Sequence, residues 1–113
     1  MGGLPEQDVA LVRRWCDERV PQSVRDQVRI ECHEAPRHLT VVERRPPWRG
    51  KAGQEWTTSP VARLRYTKKT GTWTLYYRDR NLGFHRYDLT PPSAKVSVLL
   101  DEIGSDPTGI FWG

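Results

Sequence analysis

Ala62-Arg-Leu-Arg-Tyr66, Thr72-Trp-Thr-Leu-Tyr-Tyr-Arg78 and Phe84-His-Arg-Tyr-Asp-Leu89 are three short runs in which apolar and polar side chains alternate. A period of two is the mark of a half-buried strand. The stretches between them, Thr67 to Gly71 and Asp79 to Gly83, are short, polar and close on glycine. Three such runs joined by such turns predict an antiparallel meander. Parity then sorts the faces. Leu64, Trp73, Leu75, Tyr77, His85, Tyr87 and Leu89 share the side expected to face a core. Arg63, Arg65, Thr72, Thr74, Tyr76, Arg78 and Arg86 share the other.

Towards the N-terminus the same period continues. Val28, Ile30 and Cys32 alternate with Arg29, Glu31 and His33, which predicts a strand. Ala35-Pro36-Arg37 reads as a turn. His38 to Arg45 carries the β-branched Thr40, Val41 and Val42 and reads as a second strand, stopped by Pro46-Pro47. Residues 46–60 hold three prolines, two glycines, Trp48 and Trp56. They read as one long loop, either a lid folded onto the core or a binding surface.

A helix is expected at each end. Pro5 suits a first helical position, and Glu6 and Asp8 suit the positive end of the helix dipole. Leu11/Val12, Trp15/Cys16 and Arg19/Val20 repeat at steps of four, and Pro21 stops the run, so the helix spans residues 5–19. Val96, Leu99, Leu100 and Ile103 fit a second amphipathic helix. Thr90 or Ser93 is placed to cap it, and Gly104 to end it in a left-handed conformation. Ile110, Phe111 and Trp112 form an apolar tail, expected to dock on the domain or else to grip a partner. The fold class is therefore α+β: an N-terminal helix, a five-stranded antiparallel meander-like sheet, and a C-terminal helix packed on one sheet face. Residues 1–113 form a single domain on this reading, a usual length for one core.

Composition bounds the function. No apolar run approaches the ~20 residues needed to cross a membrane. Met1 to Glu6 lacks the basic-then-apolar pattern of a secretory signal. Two cysteines, Cys16 and Cys32, in different elements are read as reduced thiols, which suits the cytoplasm. Cys32, His33 and His38 are close in sequence, but Cys32 and His33 point to opposite sides of a strand, so no metal site is expected. There is no phosphate-cradling glycine loop, nucleophile elbow or dinucleotide fingerprint, and no cofactor is expected.

Charge is uneven. Residues 37–86 hold twelve Lys/Arg and three Asp/Glu, a net +9 against −5 elsewhere, which gives the +4 of the whole chain. Eight of the eleven aromatics lie in nearly the same region, from Trp48 to Tyr87.

In combination, Glu43-Arg-Arg-Pro-Pro-Trp48, Glu55-Trp56, Ser59 to Tyr66, Gly71 to Arg80, His85-Arg-Tyr87 and Asp106 to Trp112 resemble a small family, domain of unknown function 3024. The resemblance covers most of the chain from Val28 onward. It implies a stand-alone bacterial protein of about this length and transfers no catalytic residue. A narrower likeness, Gly71-Thr-Trp73 followed by Tyr77-Arg78-Asp79, resembles the short sheet that opens many phage-type integrases. That sheet lays its three-stranded face into a DNA major groove, but this chain lacks the length of a recombinase catalytic domain.

Phosphates call for cations in a row, and bases for flat stacking surfaces or groove-reading side chains. The expected site is non-catalytic and binds DNA or RNA. It comprises Arg63, Arg65, Tyr76, Arg78 and Arg86 on the outer face, with Arg44, Arg45, Trp48 and Arg49 from the adjoining loop. The competing structural reading has these arginines merely lying over cross-strand neighbours. One alternative function is a protein partner or homodimer held by the Pro46-Pro47-Trp48 loop and the apolar tail. Another is a metal-independent ribonuclease built on His85, Glu43 and Asp79, although an inward His85 fits better as a core residue.

Overall fold

In the computed structural model, which describes residues 3–47 and 55–112, the elements follow the expected order. They are α1 (Glu6–Arg19), β1 (Arg29–Glu34), β2 (His38–Arg45), β3 (Thr57–Thr67), β4 (Thr72–Arg78), β5 (Phe84–Arg86) and α2 (Val96–Ser105). A 3-10 turn at Gln22–Val24 links α1 to the sheet. The five strands are antiparallel in the order β1-β2-β3-β4-β5, each beside its predecessor.

Register puts Cys32, Val41, Ala62 and Tyr77 in one cross-strand row and Glu34, Leu39, Leu64 and Leu75 in the next. These rows share the face that carries both helices. Val9, Val12 and Cys16 of α1 join Leu99, Leu100 and Ile103 of α2, with Leu39, Leu64, Trp73 and Leu75, in one buried cluster. The indole N–H of Trp73 finds its acceptor in the Asp8 carboxylate of α1, at 2.8 Å. A buried indole without that partner would cost free energy.

Several boundaries differ from the expectation. The segment read as loop up to Pro60 already pairs as strand from Thr57. A bulge between the Val41 and Val42 registers places Val61 opposite no β2 residue, so Val61 and Ala62 are both buried. Pro60, which has no N–H, sits at this irregularity. Strand β5 ends at Arg86, so alternation does not reach Leu89, which is 64% exposed rather than inward. Helix α2 begins after Lys95, with no side-chain cap. It closes on Asp106, at φ 43°, and not on Gly104, which lies inside the helix against Arg19 and Trp15. Asp106 tolerates the left-handed region because its carboxylate accepts from the N–H groups of Phe111 (3.0 Å) and Trp112 (2.9 Å).

These bonds turn the tail back. Phe111 is buried against Tyr87, with ring centroids 5.0 Å apart, and Trp112 donates its indole N–H to the Ile103 carbonyl at 2.8 Å. Trp56, in the segment before β3, is half-buried with the Arg29 guanidinium 4.5 Å from its ring centroid.

Candidate functional site

The helix-free face is built by parity. One row across all five strands reads His33, Thr40, Arg63, Tyr76 and Arg86. The rows beside it hold His38, Arg65 and Thr74 on one side, and Arg78 with Phe84 on the other. The structure therefore brings Arg63, Arg65, Tyr76, Arg78 and Arg86 to one side of the sheet.

They are not equally available. The Arg63 Nε donates to Thr40 Oγ1 at 3.2 Å, and its guanidinium lies 4.0 Å from the Phe84 ring centroid. The Arg78 Nε donates to the Pro60 carbonyl at 2.7 Å. Both side chains lie along the sheet, as the competing reading had it, but their partners are neutral, so both charges remain uncompensated by these contacts. Arg86 has a loose contact with Asp88 at 3.9 Å between exposed groups, an interaction of little energy.

The arginines at the far end of β2 behave differently. Arg44 reaches the Glu31 carboxylate at 3.7 Å, and its Nε is buried without a hydrogen-bond partner among the described residues. Arg45 pairs with Glu43 at 3.2 Å and has the parity of the opposite face. Val42, on the outer face and outside the core cluster, is only 2% exposed. Trp48 and Arg49 lie outside the described residues. Arg44 and Arg45 are thus not brought together with Arg63 and Arg65.

What does gather around Arg65 comes from the other end of the sheet. A shallow concavity of about 370 Å³ is walled by Arg37, His38, Arg63, Arg65, Tyr76 and Phe84. A second, of about 470 Å³, also includes Arg37 and Arg65 and adds Lys68, Thr67, Tyr66 and the Leu4 segment. Among the described residues, no carboxylate lines either one. The pKa of His38 is held below the ordinary histidine value by burial first, then by the Arg63 and Arg65 guanidiniums. An imidazole at this point resists taking up a proton.

Sequence reasoning missed Arg37, His38 and Lys68 as part of this group. The signal was available: in a meander the turns after the first and third strands lie at one end. That logic places the turn holding Arg37 beside the turn holding Lys68. The paired ends Arg45 and Thr57 belong to the opposite end.

Of the residues considered for acid–base chemistry, His85 and Asp79 meet, but Glu43 does not join them. His85 is not a core residue. It is exposed on the edge strand, 5.5 Å from the Tyr77 ring centroid, with its Nε2 2.6 Å from Asp79 Oδ2. Asp79 also accepts from the N–H groups of Asn81 and Gly83. The His85 bond first, then the Gly83 N–H, hold its carboxyl below the usual range. Glu43 stands three strands away from His85, about 14 Å at normal strand spacing, and is engaged by Arg45. Cys16 and Cys32 are buried free thiols, pushed up by burial to about 12 and about 11. Neither is a ready nucleophile. No helix among the described residues is long and apolar enough to cross a membrane.

Neither the curated proteins nor the solved structures contain a match to this chain. The helix-sheet-helix order, the Trp- and Arg-rich meander and the docked Asp106 to Trp112 tail run through almost the whole length that one family profile recognises. With residues 3–113 matched, the chain belongs to the family Domain of unknown function (DUF3024).

Proposed function

We propose that this protein is a non-catalytic nucleic-acid-binding domain, engaging phosphates through the cations at the Arg37/Lys68 end of its sheet. The observation that carries the reading is that four cations, Arg37, Arg63, Arg65 and Lys68, line two adjoining concavities with no carboxylate among the described lining residues. A solvated face kept only for solubility gives no reason for carboxylates to be missing there, while they stand beside Arg44 and Arg45. The depressed His38 supports the same view, since it reports positive potential as well as burial. Tyr76 and Phe84 add aromatic surface among the cations.

The test is fluorescence anisotropy with labelled single- and double-stranded oligonucleotides over a series of salt concentrations. Log affinity should fall linearly with log salt, by about 0.9 per phosphate neutralised on duplex and about 0.7 on single strands. Arg63→Ala/Arg65→Ala should reduce that slope by about 2. Arg65→Glu alone, at an exposed position, should weaken binding without disturbing the fold. Absence of binding to any oligonucleotide at low salt would remove the proposal.

A further inference from the structure

The two concavities share Arg37 and Arg65, and that junction carries information about the shape of the ligand. The first lies on the helix-free face, where Arg63, Tyr76 and Phe84 project by strand parity. The second includes Tyr66 and Leu4, which belong to the helix-side core layer, together with the Thr67 and Lys68 turn. A path linking them therefore passes over the strand ends, from one sheet face to the other. The body it would follow measures 49 × 32 × 24 Å.

Duplex DNA has a persistence length of about 150 base pairs, and bending it smoothly over a few base pairs is prohibitive. A single strand turns at every phosphodiester. Each concavity, at about 370 and about 470 Å³, is the size of a small-ligand cleft. Each sets cations beside an aromatic ring, Tyr76 and Phe84 in the first and Tyr66 in the second. The Arg63 guanidinium over Phe84 adds a planar platform of the kind on which unpaired bases stack.

From this juxtaposition, and resting on the nucleic-acid reading above, we infer that the ligand is single-stranded. Its backbone crosses the Arg37–Arg65 ridge, with one nucleotide on each side. Arg37 and Lys68 are then the residues that select single strand over duplex. The remaining outer-face arginines supply attraction that does not discriminate.

The experiment compares labelled oligodeoxyuridylate and oligouridylate of about 12 nucleotides with a duplex of equal length, a span within the usual single-strand site sizes. The protein is used as wild type and as Arg37→Ala/Lys68→Ala. Both side chains are exposed in turns, and the bond from the Tyr66 N–H to the Arg37 carbonyl needs no side chain, so the fold is retained. Wild type should bind at least one single strand ~10-fold or more tightly than duplex, and the tighter of the two identifies the sugar. The double variant should lose that preference while keeping a weak, salt-sensitive affinity for all three. Equal binding of single strand and duplex by wild type, or a preference that survives in the variant, overturns the inference and leaves the nucleic-acid reading standing. Failure to bind any of the three at low salt overturns both.

Discussion

Trp73 of β4 and Asp8 of α1, 65 positions apart, are joined by an indole N–H to carboxylate bond of 2.8 Å. The ring itself is wholly buried, so this bond is a part-buried polar clamp between the sheet and the first helix. Asp8→Ala leaves the indole N–H without its acceptor. It should lower unfolding free energy by about 1–3 kcal/mol in urea titrations monitored by tryptophan fluorescence. Asp8→Asn, which keeps an acceptor, should recover much of the loss.

A second clamp joins Tyr87 to Glu102 of α2, hydroxyl to carboxylate, at 2.6 Å. Burial first, then this carboxylate, push the Tyr87 hydroxyl up to about 12. Its contribution is present in full below the ordinary tyrosine value of 10.0 and is lost as pH rises through about 12. In an ultraviolet titration, one of the four tyrosines should ionise late, and Tyr87→Phe should delete that step. The variant should also lose about 1 kcal/mol of stability.

His38 sets a window on the acid side. Because its folded pKa lies below the ordinary 6.5, the unfolded chain takes up the proton first as pH falls. Stability should therefore decline from pH 6.5 down to the folded value and level off below it. Proton NMR should show the His38 midpoint moving up in Arg63→Ala/Arg65→Ala. It should also move up in wild type when a polyanion occupies the groove.

Asp106 combines a left-handed backbone with two bonds to the tail. Asp106→Gly removes the backbone strain and the bonds together, whereas Asp106→Ala keeps the strain and loses the bonds. Asp106→Ala should be the more damaging, by about 1 kcal/mol, the usual scale of the glycine advantage at such a position. Both should shift Trp112 emission to the red as the indole leaves the Ile103 carbonyl. A tail fluorescence identical to wild type in both would show that the docking does not depend on Asp106.

The elements that could be read from sequence were those with an uninterrupted period. Steps of four from Leu11 to Val20 gave the first helix to within a residue, and alternation through Arg63 to Arg78 gave the outer face correctly. Reading failed where the period breaks. The Val61 bulge and Pro60 hid the first residues of β3, and the end of pairing at Arg86 released Leu89 to solvent. Part of the candidate site was also legible, namely Arg63, Arg65 and Tyr76. Arg37 and Lys68 were not, because they sit in turns, where alternation says nothing and only the up-and-down path of the strands brings them together. Arg44 and Arg45 looked equivalent in sequence, but adjacent residues of a strand face opposite ways, and each met its own glutamate.

The nearest-neighbour strand order also has a kinetic meaning. Each hairpin closes a short loop except that between β2 and β3, so β3 and β4, joined by Thr67 to Gly71, are the natural place for assembly to begin. Contacts as remote as Asp8 with Trp73 should then form after the rate-limiting barrier. Asp8→Ala should accordingly quicken unfolding in stopped-flow chevrons and leave the refolding arm nearly unmoved, while Leu64→Ala should slow refolding. A refolding arm displaced by Asp8→Ala as far as by Leu64→Ala would mean that the helix is already docked when the barrier is crossed.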